Sequence, residues 1–432
     1  MAHLVQAVHA RRIWDSRGRP TVEVEVGLSN GVVGRGVAPA GASRGSREAV
    51  DLRDGGESLG GMDVQKALHN IRAHIAPAIR GMPIADRLSI DQRLMALDPS
   101  ATRHEIGGNA LIATSFAVLD AAARDASLPI WKYLSAGAEV RLPLPEIQIF
   151  GGGAHAGRRV DIQDFLVMPV GAQSFDEAMV MTAEVYRTAG QLMQEQGRRA
   201  GVADEGGWWP DFDSNEQALE MLARAITRAG YRFDQVAISL DIAASEFRHG
   251  GFYQLGLEGR RYTTDEWIEV LSGWIDRYPI LSIEDPVAED DTPGMQAFTQ
   301  RWGDHIQIVG DDYLVTRAEL VNAAAEQGAC NAVLLKPNQV GTISETFSAM
   351  QAANRFGWGK VVSARSGETE DVMIVHLAIG WNAGQLKVGS FARSERMAKW
   401  NEALRIEEAL GAHAVYAGRS GLPGCLRNPG QA

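Results

Sequence analysis

Cysteine is scarce. Cys330 and Cys425 are the only two in 432 residues. Two distant thiols make neither a disulfide framework nor a metal-ligand cluster, so a cytosolic setting is expected. Positive charge is also in deficit, with 42 Lys and Arg against 54 Asp and Glu and a formal net charge of −12. A general nucleic-acid or anionic-membrane surface needs a basic face, so neither partner is expected. An anionic small molecule is not excluded, because charge within a cleft can oppose the global sign. No apolar run reaches membrane-spanning length. The first ten residues lack a basic stretch followed by an apolar one, so no signal peptide is expected. What remains is ordinary globular composition, 45% hydrophobic and 22% charged, in a chain long enough for a large barrel plus a smaller domain.

The chain changes grammar near its first third. Thr21-Val22-Glu23-Val24-Glu25-Val26 alternates polar and apolar residues, the period of a half-buried strand, and Ser29-Asn30-Gly31 turns it back. A glycine-bearing loop follows, Pro39-Ala40-Gly41-Ala42-Ser43-Arg44-Gly45, flexible enough to serve as a lid. Residues 63–134 then read as helix, which gives an α+β capping domain over 1–138. Beyond Pro143 and Pro145, short apolar runs recur with polar or charged ends, at 165–168, 236–241, 280–285, 306–312, 332–336, 361–365 and 386–389. Helical stretches such as 216–229, 265–277 and 343–355 separate them. Strand, polar end and helix in repetition predict a (β/α) barrel over 139–432, an α/β fold whose chemistry sits at the C-terminal strand ends. A doubly wound open sheet fits less well, since no Gly-x-Gly-x-x-Gly opens a first helix.

Those strand ends carry the chemistry. Asp241, Glu284 and Asp311 end three successive strands. Aimed at one axis, they repel unless a cation lies between them, and hard oxygen ligands favour Mg²⁺. Taken singly, each is an ordinary helix cap. Lys336 and Lys387 lie on later strands. A buried lysine beside other cations can act as a base, or can simply balance the acids, and both roles are compatible. Glu205 lies in Val202-Ala203-Asp204-Glu205-Gly206-Gly207, and His155 in the loop Gly151-Gly152-Gly153-Ala154-His155-Ala156-Gly157. Arg365-Ser366-Gly367-Glu368 offers a guanidinium and a hydroxyl suited to phosphate.

From end to end the sequence resembles enolase. The matching stretches are Asp15-Ser16-Arg17-Gly18-Arg19-Pro20, Gly41-Ala42-Ser43, Asp204-Glu205-Gly206-Gly207, Ser282-Ile283-Glu284-Asp285-Pro286, Ala288-Glu289-Asp290-Asp291, residues 365–371 and Ala392-Arg393-Ser394-Glu395-Arg396. The resemblance implies a capping domain, a modified eight-stranded barrel, two Mg²⁺ ions per site and a homodimer. By position it implies that Asp241, Glu284 and Asp311 hold the first Mg²⁺ and that Ser43 helps hold the second. Lys336 would take the proton α to a carboxylate, Lys387 would grip that carboxylate, and Glu205 would act as general acid. Arg365 and Ser366 would bind phosphate, and His155 would close over the substrate on a mobile loop.

The departures from that pattern cluster. Asp164 stands where enolases carry Glu, and Ala364 where they carry His. Ala40 and Arg44 replace the usual Ser and Thr of the flap. Arg158 and Arg159 follow the His155 loop, and Trp208-Trp209 follow the Glu205 loop. Loss on the leaving-group side, with new cations and aromatics on the lids, predicts a larger or more highly charged substrate. The expectation is therefore a specialised relative acting on a phosphorylated or phosphonylated acid, of the carboxyphosphonoenolpyruvate synthase type. Ordinary enolase chemistry is the alternative, and a silent binding scaffold is a third reading.

Overall fold

The computed structural model describes residues 3–426, so the outer ends of the two expected domains, 1–2 and 427–432, lie outside the described residues. The chain opens with an antiparallel meander, β1 (Val5–Trp14), β2 (Pro20–Leu28) and β3 (Val33–Val37). The turn between β1 and β2 is set by Asp15, whose carboxylate accepts the amide N–H groups of Arg17 and Arg19 at 2.8 and 2.9 Å. On β2 the predicted alternation puts Val22, Val24 and Val26 in the core. That face packs on the helix Gly108–Asp125, whose first sixteen residues are all buried. The contact is close because β3 presents glycine there. A Cβ on Gly34 would lie 2.2 Å from the Ala121 nitrogen, and one on Gly36 2.3 Å from the Ala113 oxygen.

The second part is a closed eight-stranded barrel. Its strands are β4 (Leu144–Gly151), β5 (Asp164–Met168), β6 (Ala237–Asp241), then, after a small meander of β7 (Arg248–His249), β8 (Phe252–Leu255) and β9 (Arg260–Tyr262), β10 (Ile280–Glu284), β11 (Gln307–Gly310), β12 (Ala332–Leu335), β13 (Gly359–Ser363) and β14 (Gly384–Ser390). Most neighbours run parallel, but β5 is antiparallel to both β4 and β6. In the parallel strands β6 and β10 the site residues Asp241 and Glu284 come last, Asp311 and Lys336 directly follow β11 and β12, and Lys387 lies within β14. In reversed β5 the first residue, Asp164, sits level with the last of β6, Asp241. One reversal thus adds a side chain from the start of a strand to a ring built from the ends of others.

Several of the outer helices begin where short polar side chains cap them. Ser174 caps Phe175–Glu195, Ser214 caps Asn215–Arg228, Thr342 caps Ile343–Arg355, and Thr263 with Glu266 forms a capping box on Thr264–Arg277. Among the described residues no helix is long and apolar enough to cross a membrane.

Candidate active site

A narrow cavity lies over the C-terminal ends of the parallel strands, beneath the 41–43 flap. Its lining includes Ser43, His155, Asp164, Glu205, Asp241, Lys336, Ala364, Arg365, Ser366 and Lys387. Glu284 and Asp311 lie just below, buried and in contact with the two lysines.

The floor is acidic. Asp241 and Glu284 are register partners on adjacent strands, and Asp311 follows the next strand, β11. Lys387 Nζ lies 2.9 Å from Asp241 Oδ2 and 2.7 Å from Glu284 Oε2. Lys336 Nζ bonds Asp311 Oδ2, and Gln339 donates to Asp311 Oδ1 at 2.8 Å. Burial, with the charges of Asp241 and Asp311, holds the Glu284 carboxyl well above its ordinary range. Among the described residues its Oε1 finds no hydrogen-bond partner. An all-oxygen set of crowded acids with an orphaned buried oxygen fits a hard divalent cation such as Mg²⁺. Burial works against charge on both lysines, yet the facing acids outweigh it and raise both.

One wall is built for an anion. Arg365 is almost fully buried. It donates to Glu48 Oε2 at 3.0 Å, to Asn338 Oδ1 at 3.1 Å and to the Ser43 carbonyl at 3.0 Å. Ser366 Oγ accepts the Ala42 amide at 2.6 Å and a bond from Arg17 at 3.3 Å. Ala40 and Gly367 pair through their backbones, tying the flap to this loop.

The opposite wall is a proton-carrying cluster. His155 Nδ1 lies 2.9 Å from Asp164 Oδ1, and its Nε2 lies 3.7 Å from Glu205 Oε1. Burial opposes charge on His155, but Glu205 and Asp164 outweigh it and lift its pKa to about 9. Burial likewise opposes charge on Glu205, and His155, Arg396 and Lys387 reverse the balance, so its pKa falls. The resting proton therefore sits on the imidazole.

Several expected substrate contacts are placed elsewhere. Arg158 reaches Glu246 at 2.6 Å and is largely exposed, Arg159 pairs with Asp211 at 2.7 Å, and Arg44 is exposed on the flap. None of the three lines the cavity. Trp208 stacks on Tyr186 with ring centroids 4.8 Å apart and donates Nε1–H to the Tyr186 carbonyl, behind the Glu205 loop. The cavity lining thus takes no cationic side chain from Arg44, Arg158 or Arg159. Ala364 does face the cavity.

The site also uses residues that sequence reading missed. Gln163 donates to Asp241 Oδ2 at 3.0 Å. Asp285, inside a quoted motif but unassigned, accepts the amides of Asp311 and Asp312 at 3.0 and 2.7 Å, and burial with the Asp311 charge pushes its pKa to about 8. Glu48, Asn338, Gln339 and Gln148 carry no local signal, because their partners are distant in the chain.

Residues 5–134 match the family model described as "Enolase, N-terminal domain", and residues 139–423 the one described as "Enolase, C-terminal TIM barrel domain". Over 416 residues the chain is 48% identical to "Enolase 1" of Desulfitobacterium hafniense (strain Y51), covering 95% of each.

Proposed function

The chain belongs to the enolase family and is a carbon–oxygen lyase, and from that premise we propose that it interconverts 2-phosphoglycerate with phosphoenolpyruvate and water. The observation that carries the reading is the opposition of two walls. Lys336 follows β12 and Asp164 opens β5, four strands apart around the closed eight-stranded barrel, so the lysine and the His155–Asp164–Glu205 cluster line the cavity from opposite sides. An elimination needs this separation, with a base for the α proton and a proton source for the departing hydroxyl.

In this reading Asp241, Glu284 and Asp311 would hold one Mg²⁺, and Ser43 would contribute to a second. Bound there, the ions would supply stabilisation of the negative charge that develops when the α proton leaves. Lys336 abstracts the α proton. It is charged while paired to Asp311, but burial, Arg365 and Lys387 all press the other way. Once the Asp311 charge is engaged elsewhere, the balance tips toward the free amine a base requires. Lys387 orients the carboxylate, and Arg365 with Ser366 receives the phosphate. The leaving hydroxyl takes its proton from the cluster acting as a unit, since His155 holds the proton that Glu205 lacks.

The phosphonate-type reading keeps one observation, Ala364 in the cavity wall where proton-transfer chemistry would be useful. It loses its support from Arg44, Arg158, Arg159 and Trp208. One assay separates the two: formation of phosphoenolpyruvate from 2-phosphoglycerate with Mg²⁺, followed by absorbance beside a reference enolase. Turnover at a comparable rate supports the proposal. No turnover with Mg²⁺ binding intact overturns it.

A further inference from the structure

Gln148 lies on β4 with no exposed surface, and no step above uses it. Its amide has only one workable orientation. The Gly207 N–H can only donate, so Gln148 Oε1 must face it, and does so at 2.9 Å. Nε2 is then left pointing at Asp164 Oδ1, to which it donates. That same oxygen accepts from His155 Nδ1, while Asp164 Oδ2 has no hydrogen-bond partner among the described residues. With Nδ1 committed to Asp164, the imidazole turns Nε2 toward Glu205.

We propose that Gln148 is the positioning residue of the proton-carrying wall, locking Asp164, and through it His155, in register with the Glu205 loop. The proposal rests on the elimination reading of this site. It also accounts for Asp164, whose short side chain is met by the longer reach of Gln148. The loop end of the bridge is itself tight: a Cβ on Gly207 would lie 2.4 Å from Gln148 Oε1, so backbone and amide are in direct contact. The Tyr186 hydroxyl fastens the neighbouring Gly206 carbonyl at 2.9 Å. The loop is therefore fixed, and the amide transmits its position across to Asp164.

The test is a length-swap cycle. Gln148→Asn leaves the amide one methylene short, so it serves Gly207 or Asp164 but not both. Asp164→Glu is one methylene too long for the space Gln148 fills. The pair Gln148→Asn with Asp164→Glu restores the summed length. Each single change should lower kcat about 10²-fold, the cost of roughly 1 Å of misplacement. KM for 2-phosphoglycerate should stay within about threefold, because ground-state binding is untouched. The double variant should recover to within about fivefold of wild type, a coupling that independent sites would not show. Singles with unchanged kcat, or a double variant as poor as the product of the singles, would overturn the proposal. Should wild type not turn over 2-phosphoglycerate at all, the elimination reading fails by itself. The same cycle is then read from the solvent-protected His155 Nδ1–H proton resonance, expected in wild type and double variant and lost in both singles. Its persistence in the singles would overturn the positioning role.

Discussion

Replacing Glu48 by alanine strips the buried Arg365 guanidinium of its carboxylate. Both side chains are nearly inaccessible, at 5% and 3% exposure, so solvent cannot take over the lost contact. Removing one partner of such a pair costs about 3–5 kcal/mol, because a charge is left buried and unbalanced. Glu48 Oε1 also accepts from Gly45 at 3.1 Å and Gln339 at 3.2 Å, which places the expected loss toward the upper end of that span. Against a total stability on the order of 5–15 kcal/mol this is a large fraction, readable as a lower denaturant midpoint at unchanged slope. Inorganic phosphate supplies the decisive comparison. In wild type it must share Arg365 with Glu48, whereas in the variant it replaces the missing negative charge. At a hundredfold excess over Kd a ligand adds about 2.7 kcal/mol. Phosphate at one fixed concentration should therefore stabilise the variant more than wild type. A variant within 1 kcal/mol of wild type, or equal phosphate gains in both proteins, would refute the reasoning.

Four further outcomes are expected. Because the folded-state pKa of Glu284 is raised, its contribution is fully present at low pH and is lost as pH rises through that pKa; Mg²⁺ should then raise the melting temperature more at the higher pH, and Glu284→Gln should abolish that pH dependence, whereas a variant that keeps the wild-type pH dependence of the Mg²⁺ effect would count against the metal assignment. Lys336→Ala should stop exchange of the substrate α proton with solvent while Mg²⁺ stabilisation survives, and unchanged exchange would move the base elsewhere. Gly389→Ala places a Cβ 3.1 Å from the Glu205 backbone oxygen at φ +113°, so kcat should fall with strain of about 1–3 kcal/mol, measured beside KM. His155, raised to about 9, contributes stability that is complete below its ordinary value of 6.5 and lost as pH rises through about 9, a slope that denaturation of His155→Gln should lack.

Strands whose apolar runs end in charge were legible because burial on both faces writes a continuous hydrophobic word, and the acid after it marks the rim. The runs at 236–241, 280–285 and 332–336 became β6, β10 and β12, each with its polar end at the cavity or just beneath it. The helix at 343–355 coincides with Ile343–Arg355, where Thr342 supplies a cap that sequence can display. The strand β4 was not read, since Pro143 and Pro145 look like a break and its interior Glu146 and Gln148 interrupt the apolar pattern. Those polar residues face partners on other strands, Ser239 for Glu146 and Asp164 for Gln148, and such pairing leaves no local trace. Arg158 and Arg159 illustrate the opposite case. Next to a histidine-bearing loop they suggested substrate charge, but backbone geometry at Arg158, with φ +58°, and the acids at 246 and 211 draw them outward.

The reversal of β5 also divides the molecule in a way the strand order alone does not convey. Gln148, His155, Gln163 and Asp164 all belong to the single hairpin of β4 and β5 and its connecting loop. The leaving-group half of the site is thus largely contiguous in the gene, with Glu205 and the Ala364 position supplied from outside. The other half is scattered over β6, β10, β11, β12 and β14 and is assembled solely by barrel closure. One half can therefore be inherited, exchanged or worn away as a cassette, through changes in a few neighbouring codons. The other can be altered only at the expense of the barrel itself.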